Sequence, residues 1–581
     1  MRRPSLLLFF TLCFVPLTSV AQTSVITGRV VSEDGSGLPG MKVTLLPVAA
    51  DRRANADGSQ HQTGTDLDGA FKFTGLAPRV YSVNASAAKS YVLGPAPVGD
   101  RQDGGWLRVG DNVTITMIKG GVITGRVTNA IGEPLIGVQV NAVMTRGAEG
   151  NTARGDAARP RFTDDRGFYR IYGLPPGTYV VFTRNALFPF PTPYNRGNID
   201  TPTYHPSSTR ETAAEVTVAS GGEVTGVDIR HRGDRGHVVS GSVSSGGELS
   251  SSYNWQIITL TNTVNGAVQS DAYFTHRGEG NAKFAIYGVA DGEYEITARW
   301  VLDANDEVFA STSRRVVVKG ADVGGIELKL SPMGSIAGKF ALVATPGVCE
   351  SKRKWSMEEA LLALRYEAKP REATHARSRT IVNGLSEKGE FTVYNLTADR
   401  YFLEPRLPNE NWYVKAITAP ASTSVSANTK AARGALVTDI SRNGITLKAG
   451  EKITGVVATI TEGAAGLSGK VIPALEGSRL PGRLRIHLIP AEARSADEVL
   501  RYAEAYARSD GSFLLSNLAP GKYWLIARAA PDEETSDLHV TPVAWDATER
   551  EKLRREAMTA KNEIELRPCG QVKDYGLRFD R

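Results

Sequence analysis

Few residue types on this chain could do chemistry: three cysteines, eight histidines, seven tryptophans and the carboxylates among 62 acidic residues. A metal or nucleophilic site needs such groups gathered at fixed spacings. The histidines, among them His61, His205, His231, His276, His375 and His487, do not cluster at ligand spacing. A nucleophile elbow, a phosphate loop and a dinucleotide fingerprint are all absent. The reading is therefore not an enzyme, with no catalytic residue, no cofactor and no metal. Arg232-Gly233-Asp234 spells an adhesion tripeptide, but Gly and Asp are ordinary linker residues.

Two residue classes remain. Cys13 falls in an N-terminal apolar run, which leaves Cys349 and Cys569. In an exported chain they are candidates for a disulfide by elimination, and two separate buried thiols are the alternative. Sugar C–H groups pack on aromatic ring faces. Trp106, Trp355 and Trp412 stand in loop-like, polar contexts and are the candidate glycan-contacting aromatics. Partial burial at an interface between units is the favoured reading for each one taken singly. Trp524 follows a strand tyrosine and is expected to face outward or toward a neighbouring unit.

The elements that must position these residues are written in a repeat. The stretch 164–181, DDRGFYRIYGLPPGTYVV, carries period-2 alternation bounded by Gly and Pro, a hairpin signal. It occurs five times without gaps. Phe71, Tyr169, Phe284, Phe391 and Phe513 share the first aromatic position. Leu76, Leu174, Val289, Leu396 and Leu518 share a later one. Tyr81, Tyr179, Tyr294, Tyr401 and Tyr523 form an unbroken column. Gly177, Gly292 and Gly521 precede three of these tyrosines, where Arg79 and Asp399 stand in the first and fourth copies. The tyrosines keep register with core positions, so each is expected as a core anchor with its hydroxyl bonded to nearby backbone. Each copy is preceded by a strand with a central glycine: Gly28, Gly125, Gly241, Gly338 and Gly469. Glycine inside a strand pattern signals close backbone approach or a bulge.

Repeats of this kind decide the fold. The expectation is an all-β chain, a tandem array of five antiparallel Greek-key β-sandwich domains, with a few short helices in the fifth. The boundaries are 1–21 signal peptide, 22–120, 121–234, 235–333, 334–465 with an insertion, and 466–581 with helices and a C-terminal tail. Residues 185–212 read as a long loop with exposed aromatics, and 360–367 as a strand. Capping patterns at Ser495-Ala496-Asp497-Glu498 and Asp546-Ala547-Thr548-Glu549 predict two helices, the second running to about Ala560.

Arg2 and Arg3, the apolar run Leu6–Leu17 and Ser19-Val20-Ala21 form a secretory leader pattern, so the chain is expected in the periplasm, at the cell surface or in the medium. Later apolar runs are too short to span a membrane. The formal charge of +6 loses two arginines with the leader, which is small for 581 residues and argues against a nucleic-acid partner.

The opening strand and the D-x-G-x-F…L-x-P-G-x-Y pattern resemble the carboxypeptidase regulatory-like domain. Asp68-Gly69, Asp510-Gly511, Pro176-Gly177-Thr178-Tyr179 and Pro520-Gly521-Lys522-Tyr523 carry the likeness, while the third and fourth copies lack both the Asp-Gly turn and the Pro-Gly loop. The resemblance implies a transthyretin-like sandwich, grouped with carbohydrate-binding-like folds. The layout, including the ending Trp545-Asp546…Arg567-Pro568-Cys569, resembles exported multi-unit proteins of acidobacteria. Some gram-positive relatives of the fold crosslink Lys to Asn beside a buried Glu. Glu404 stands near that position, but no repeated trio accompanies it. Function lives in sites, so the family implies fold more than activity. The expected role is a structural or binding scaffold of the cell envelope or extracellular space, toward glycan or an envelope protein. Glycan recognition through loop aromatics is the first alternative, and partnership with an outer-membrane receptor the second.

Overall fold

The computed structural model describes residues 24–48, 60–86, 91–93, 105–147, 160–184, 200–245, 254–263, 268–275, 282–302, 307–344, 349, 355–366, 380–408, 411–420, 437–474, 479–530 and 542–579. The expected leader at 1–21 lies outside them, as does much of the insertion in the second copy.

The described residues are overwhelmingly strand, arranged around the five copies as paired sheets. In the third copy the two sheets are joined into one of eight strands, because Glu307–Ser311 pairs with both Gly292–Leu302 and Val323–Pro332. Apolar side chains at alternate positions meet between the sheets. Ile26, Val30, Val43, Leu45, Phe71, Phe73 and Tyr81 fill the first core in this way.

The repeated stretch is not a hairpin. Ala70–Phe73 pairs with Ile26–Val31 in one sheet, whereas Tyr81–Ser86 pairs with Lys42–Pro47 in the other. The same division holds for Phe168–Leu174 and Gly177–Arg184 and in the fourth and fifth copies, and in the third the two strands pair with different partners at separate places in the joined sheet. The chain crosses the core at each copy instead of turning back beside itself. Period-2 alternation reports which face is buried, not which strand is the partner. The crossing has its own backbone signal. Gly75, Gly173, Gly288, Asn395 and Asn517 all sit at left-handed φ, between 57° and 73°, directly before the buried Leu or Val. Gly and Asn are the residues that adopt this conformation most readily.

The tyrosines lock the crossing. Each is at most 1% exposed. Each hydroxyl donates to the carbonyl four residues back: Tyr81 to Ala77 (3.0 Å), Tyr179 to Pro175, Tyr294 to Ala290 (2.9 Å), Tyr401 to Thr397 (2.9 Å) and Tyr523 to Ala519 (2.6 Å). This is the geometry of a tyrosine corner. The expected backbone partner is thus present in every copy.

The opening-strand glycines explain themselves in the same way. A Cβ on Gly28, Gly125, Gly241, Gly338 or Gly469 would lie 1.9–2.2 Å from a backbone carbonyl oxygen of the closing segment. That segment runs parallel to the opening strand in each copy, an exception to otherwise antiparallel pairing. Lying in the same direction, it continues into the next copy. Gly120 alone separates Asn112–Lys119 from Gly121–Thr128, and Met333 alone separates Val323–Pro332 from Gly334–Val343.

The expected strand at 360–367 is Leu361–Tyr366, and the second predicted helix is Ala547–Ala560, capped by the Asp546 carboxylate. The first predicted helix is absent. Residues 493–501 make two short 3-10 turns, because Ala503–Tyr506 is drawn into a strand against Leu484–Pro490. The second-copy insertion is also corrected in part. Tyr204 is 7% exposed, since Thr203–Tyr204 adds an edge strand to Gly177–Arg184 and its ring stacks on Phe182.

Two tests follow from this frame. Gly28→Ala forces a methyl against the Val113 carbonyl and Phe71, whereas Gly64→Ala meets open space. Chemical denaturation of the first copy should show a loss of about 1–3 kcal/mol for the former and less than about 0.5 kcal/mol for the latter. Burial pushes all five corner tyrosines up, Tyr294, Tyr401 and Tyr523 to about 12. Unfolded tyrosine ionises near pH 10, so above that pH the unfolded chain releases protons first. Stability should therefore hold up to about pH 10 and fall as pH rises toward 12, in step with phenolate absorbance; urea midpoints across that window check it.

Candidate functional site

A cavity of about 680 Å³ lies where the fourth and fifth copies meet and the first closes one side. Its walls are the outer faces of two sheets. In Leu361–Tyr366, Leu362 and Leu364 point into the fourth core, which leaves Ala363 and Arg365 on the other face. In Leu484–Pro490, Leu484, Ile486 and Leu488 point into the fifth core, which leaves Arg485, His487 and Ile489. Both strands are nevertheless buried on both sides. The helix Ala547–Ala560 covers part of the outer face in the fifth copy, setting Leu553 and Ala557 on Ile489 and Ile526.

Charges on these outer faces are paired. Arg365 Nε donates to Glu404 Oε2 at 2.6 Å, and Arg406 reaches Glu404 Oε1 at 3.2 Å. Across the cavity Arg485 donates to Glu504, whose other oxygen lies 3.4 Å from His487 Nδ1. Burial opposes ionisation of Glu404, but Arg406 and Arg365 hold it down at about 2. Burial likewise opposes ionisation of Glu504, and His487 with Arg485 holds it below the usual range. Glu404 thus pairs with two arginines, not with the lysine that a Lys–Asn crosslink would require.

The first copy docks through residues that depart from the repeat. Arg79 stands where the second, third and fifth copies have Gly and pairs with Glu358 at 3.2 Å, while Val80 N–H donates to the Glu358 carbonyl at 3.0 Å. Arg108, 7% exposed, donates to the Glu359 carbonyl at 2.8 Å. The fifth copy is clamped to the fourth by Asn517, which donates to the Pro408 carbonyl at 2.8 Å and the Trp412 carbonyl at 2.9 Å. Trp545 stacks on Phe402 with ring centres 4.8 Å apart. Cys349 and Cys569 form a disulfide across the same two copies, with Cα atoms 5.7 Å apart.

The candidate aromatics are not presented as platforms. Trp355 is 7% exposed and packs edge-on against half-buried Trp412, 6.4 Å away, at the fourth core. Neither lies in a bare loop: Trp355 precedes a 3-10 turn, and Trp412 opens the strand Trp412–Pro420. Trp106 opens the short strand Trp106–Leu107 and lines the cavity, half-buried. Trp524 faces outward as expected, under the Arg554 guanidinium. In the tripeptide, Arg232 Nε donates to Asp234 at 2.5 Å, so the motif is closed on itself. Sequence reasoning missed Arg108, Arg365, Arg485 and Asn517. The available signal was charge alternating with apolar residues on strands, which ordinarily means a solvated face.

The Glu404 cluster carries a pH prediction. Its carboxylate is lowered on folding, so the contribution is present above about pH 4.3 and is lost as pH falls toward 2. Urea midpoints between those values should fall more steeply for the parent than for Glu404→Gln; equal slopes would remove Glu404 from the account.

Residues 25–93 match the model of the carboxypeptidase regulatory-like domain. No curated protein matches the chain. Three solved structures illustrate its likenesses. The Bacillus anthracis TIE protein is 13% identical over 53% of this chain and 51% of that one, with a TM-score of 0.14. The minor pilin of Streptococcus agalactiae is 16% identical over 36% and 96%, TM-score 0.19. The shaft pilin of Lactobacillus rhamnosus GG is 12% identical over 36% and 98%, TM-score 0.15. The chain spans about half the length of the TIE protein. At such scores none of the three bears on what this chain does. The described residues form a succession of β-sandwich sheets, and the first of the copies, at residues 25–93, is similar to the carboxypeptidase regulatory-like domain.

Proposed function

We propose that this chain is an exported, non-enzymatic scaffold of five β-sandwich domains, divided at 22–120, 121–234, 235–333, 334–465 and 466–581. It would hold its surfaces at fixed spacing in the cell envelope or extracellular space and offer them to an envelope protein. One observation carries the reading: the specialised contacts go to holding copies together. Single-residue links, the Asn517 clamp, the docking of Arg79 and Arg108, and the disulfide all serve to fix one copy against another. A disulfide supports an oxidising compartment. No helix among the described residues is long and apolar enough to cross a membrane, which leaves β-barrels unaddressed. Glycan recognition through exposed tryptophans loses support, because Trp355 and Trp412 spend their rings on each other.

Fractionation of the source cells tests the proposal. The mature protein should begin at Gln22, partition with the envelope or the medium, and show no free thiol until reduced. Deleting residues 1–21 should hold it in the cytoplasm. A full-length cytoplasmic protein with two free mature thiols would contradict the proposal.

A further inference from the structure

Every copy ends one of its sheets on the same strand. Ala70–Phe73, Phe168–Leu174, Ala282–Val289, Glu390–Leu396 and Ser512–Leu518 each have a sheet neighbour on one side only, among the described residues. An unpaired edge invites another strand unless it is guarded, most simply by an exposed charge. The first, third and fourth copies carry such a charge in Lys72, Lys283 and Glu390. The fifth is held against the fourth through Asn517. The second copy is guarded in neither way. Its Arg170 is tied to Glu223, and Phe168, 48% exposed, stands in the register position of Lys283 and Glu390. Ile131, Ile136 and Phe162 are 79%, 65% and 57% exposed on the turns beside it. Those turns are laced together, Leu135 N–H donating to the Val127 carbonyl and Gly137 N–H to the Thr163 carbonyl. Exposed apolar residues gathered in this way mark a contact surface, whereas single ones do not. Arg126 and Arg166 hold their guanidinium carbons 5.7 and 5.4 Å from the Phe168 ring centre, the arginine–aromatic composition enriched where proteins meet.

We propose that two chains join here, strand Phe168–Leu174 of one pairing antiparallel with the same strand of the other about a two-fold axis. The backbone is set for it. Val127 N–H donates to the Gly167 carbonyl at 2.8 Å. Bonded pairs alternate along an antiparallel ladder, so Tyr169 and Ile171 spend their backbone groups on Gly125 and Ile123. Arg170 and Tyr172 turn theirs to the free edge. A two-fold axis at Ile171 sets each Arg170 opposite Tyr172 of the other chain, and these are the residues with backbone groups to exchange. The same pairing lays a guanidinium beside an aromatic ring on each side of the axis, an attractive cross-strand pair. The edge is thus complementary to itself, which is what a two-fold contact between identical chains requires. The scaffold role does not depend on this pairing, because the copies of one chain are already held together without it.

Sedimentation equilibrium of the purified mature chain tests this, independently of where the protein resides in the cell. The chain should be a dimer at concentrations up to about 100 μM. Phe168→Glu gives the second copy the residue that the fourth already carries as Glu390, so the sandwich tolerates it; it should raise the dissociation constant at least about tenfold. Arg170→Pro removes one N–H that faces the free edge and no bond to Gly121–Thr128, a placement that edge strands accept. It should leave a monomer. Leu67→Glu, at an 88% exposed turn of the first copy, should leave the dimer unchanged. A monomer at about 100 μM would overturn the proposal and leave the edge to a different protein or to solvent. A dimer that Phe168→Glu does not weaken would overturn it too, as would one that a folded Arg170→Pro chain still forms.

Discussion

A tyrosine hydroxyl bonded to the carbonyl four residues behind it is the contact on which the rest of this chain depends. It closes the arch by which the chain leaves one sheet and enters the other. The ring fills the core and the hydroxyl has no water to turn to, so the bond must be made within the protein. Tyr81, Tyr179, Tyr294, Tyr401 and Tyr523 each make it, in copies whose other residues diverge widely. The left-handed Gly or Asn six residues before each tyrosine sets the arch's path, and the buried Leu or Val after it seats the arch in the core.

The arch fixes strand directions, and directions fix the array. The closing segment returns alongside the opening strand, close enough that only a glycine fits between them. It then runs on into the next copy with one residue to spare at two of the links. With such short links the copies have little freedom, and the first is further docked on the fourth. The fourth and fifth copies, joined by Asn517, Trp545 and the disulfide, bury outer sheet faces that a lone sandwich would leave in water. The arginine-rich cavity lies at that contact and is made by no single copy.

Much of this was legible in the residue columns. The aromatic column gave the repeat, the strand glycines predicted close approach, and elimination pointed to Cys349 and Cys569. The crossing was misread as a hairpin because alternation describes a face and not a partner; Gly75, Gly173, Gly288, Asn395 and Asn517 were the unread sign. The helix expected at Ser495 yielded to pairing of Ala503–Tyr506, a long-range contact that a capping pattern cannot foresee. Polar sequence neighbours made Trp355 and Trp412 candidates for a glycan platform beside the favoured reading of partial burial, and their covering comes from each other and from distant strands. The cavity could not be read because its arginines lie in three separate copies. One clue was present: Arg79 breaks the glycine column where the first copy docks.

The most direct measurement removes one hydroxyl and nothing else. Native-state hydrogen exchange of Tyr294→Phe would report on the amides of Ala282–Val289 and Gly292–Leu302, which flank the arch. The account predicts that these amides lose about 1 kcal/mol of protection, because the half-buried Ala290 carbonyl is left without its donor. Protection unchanged within about 0.5 kcal/mol would mean that the ring alone holds the crossing, and would contradict the account.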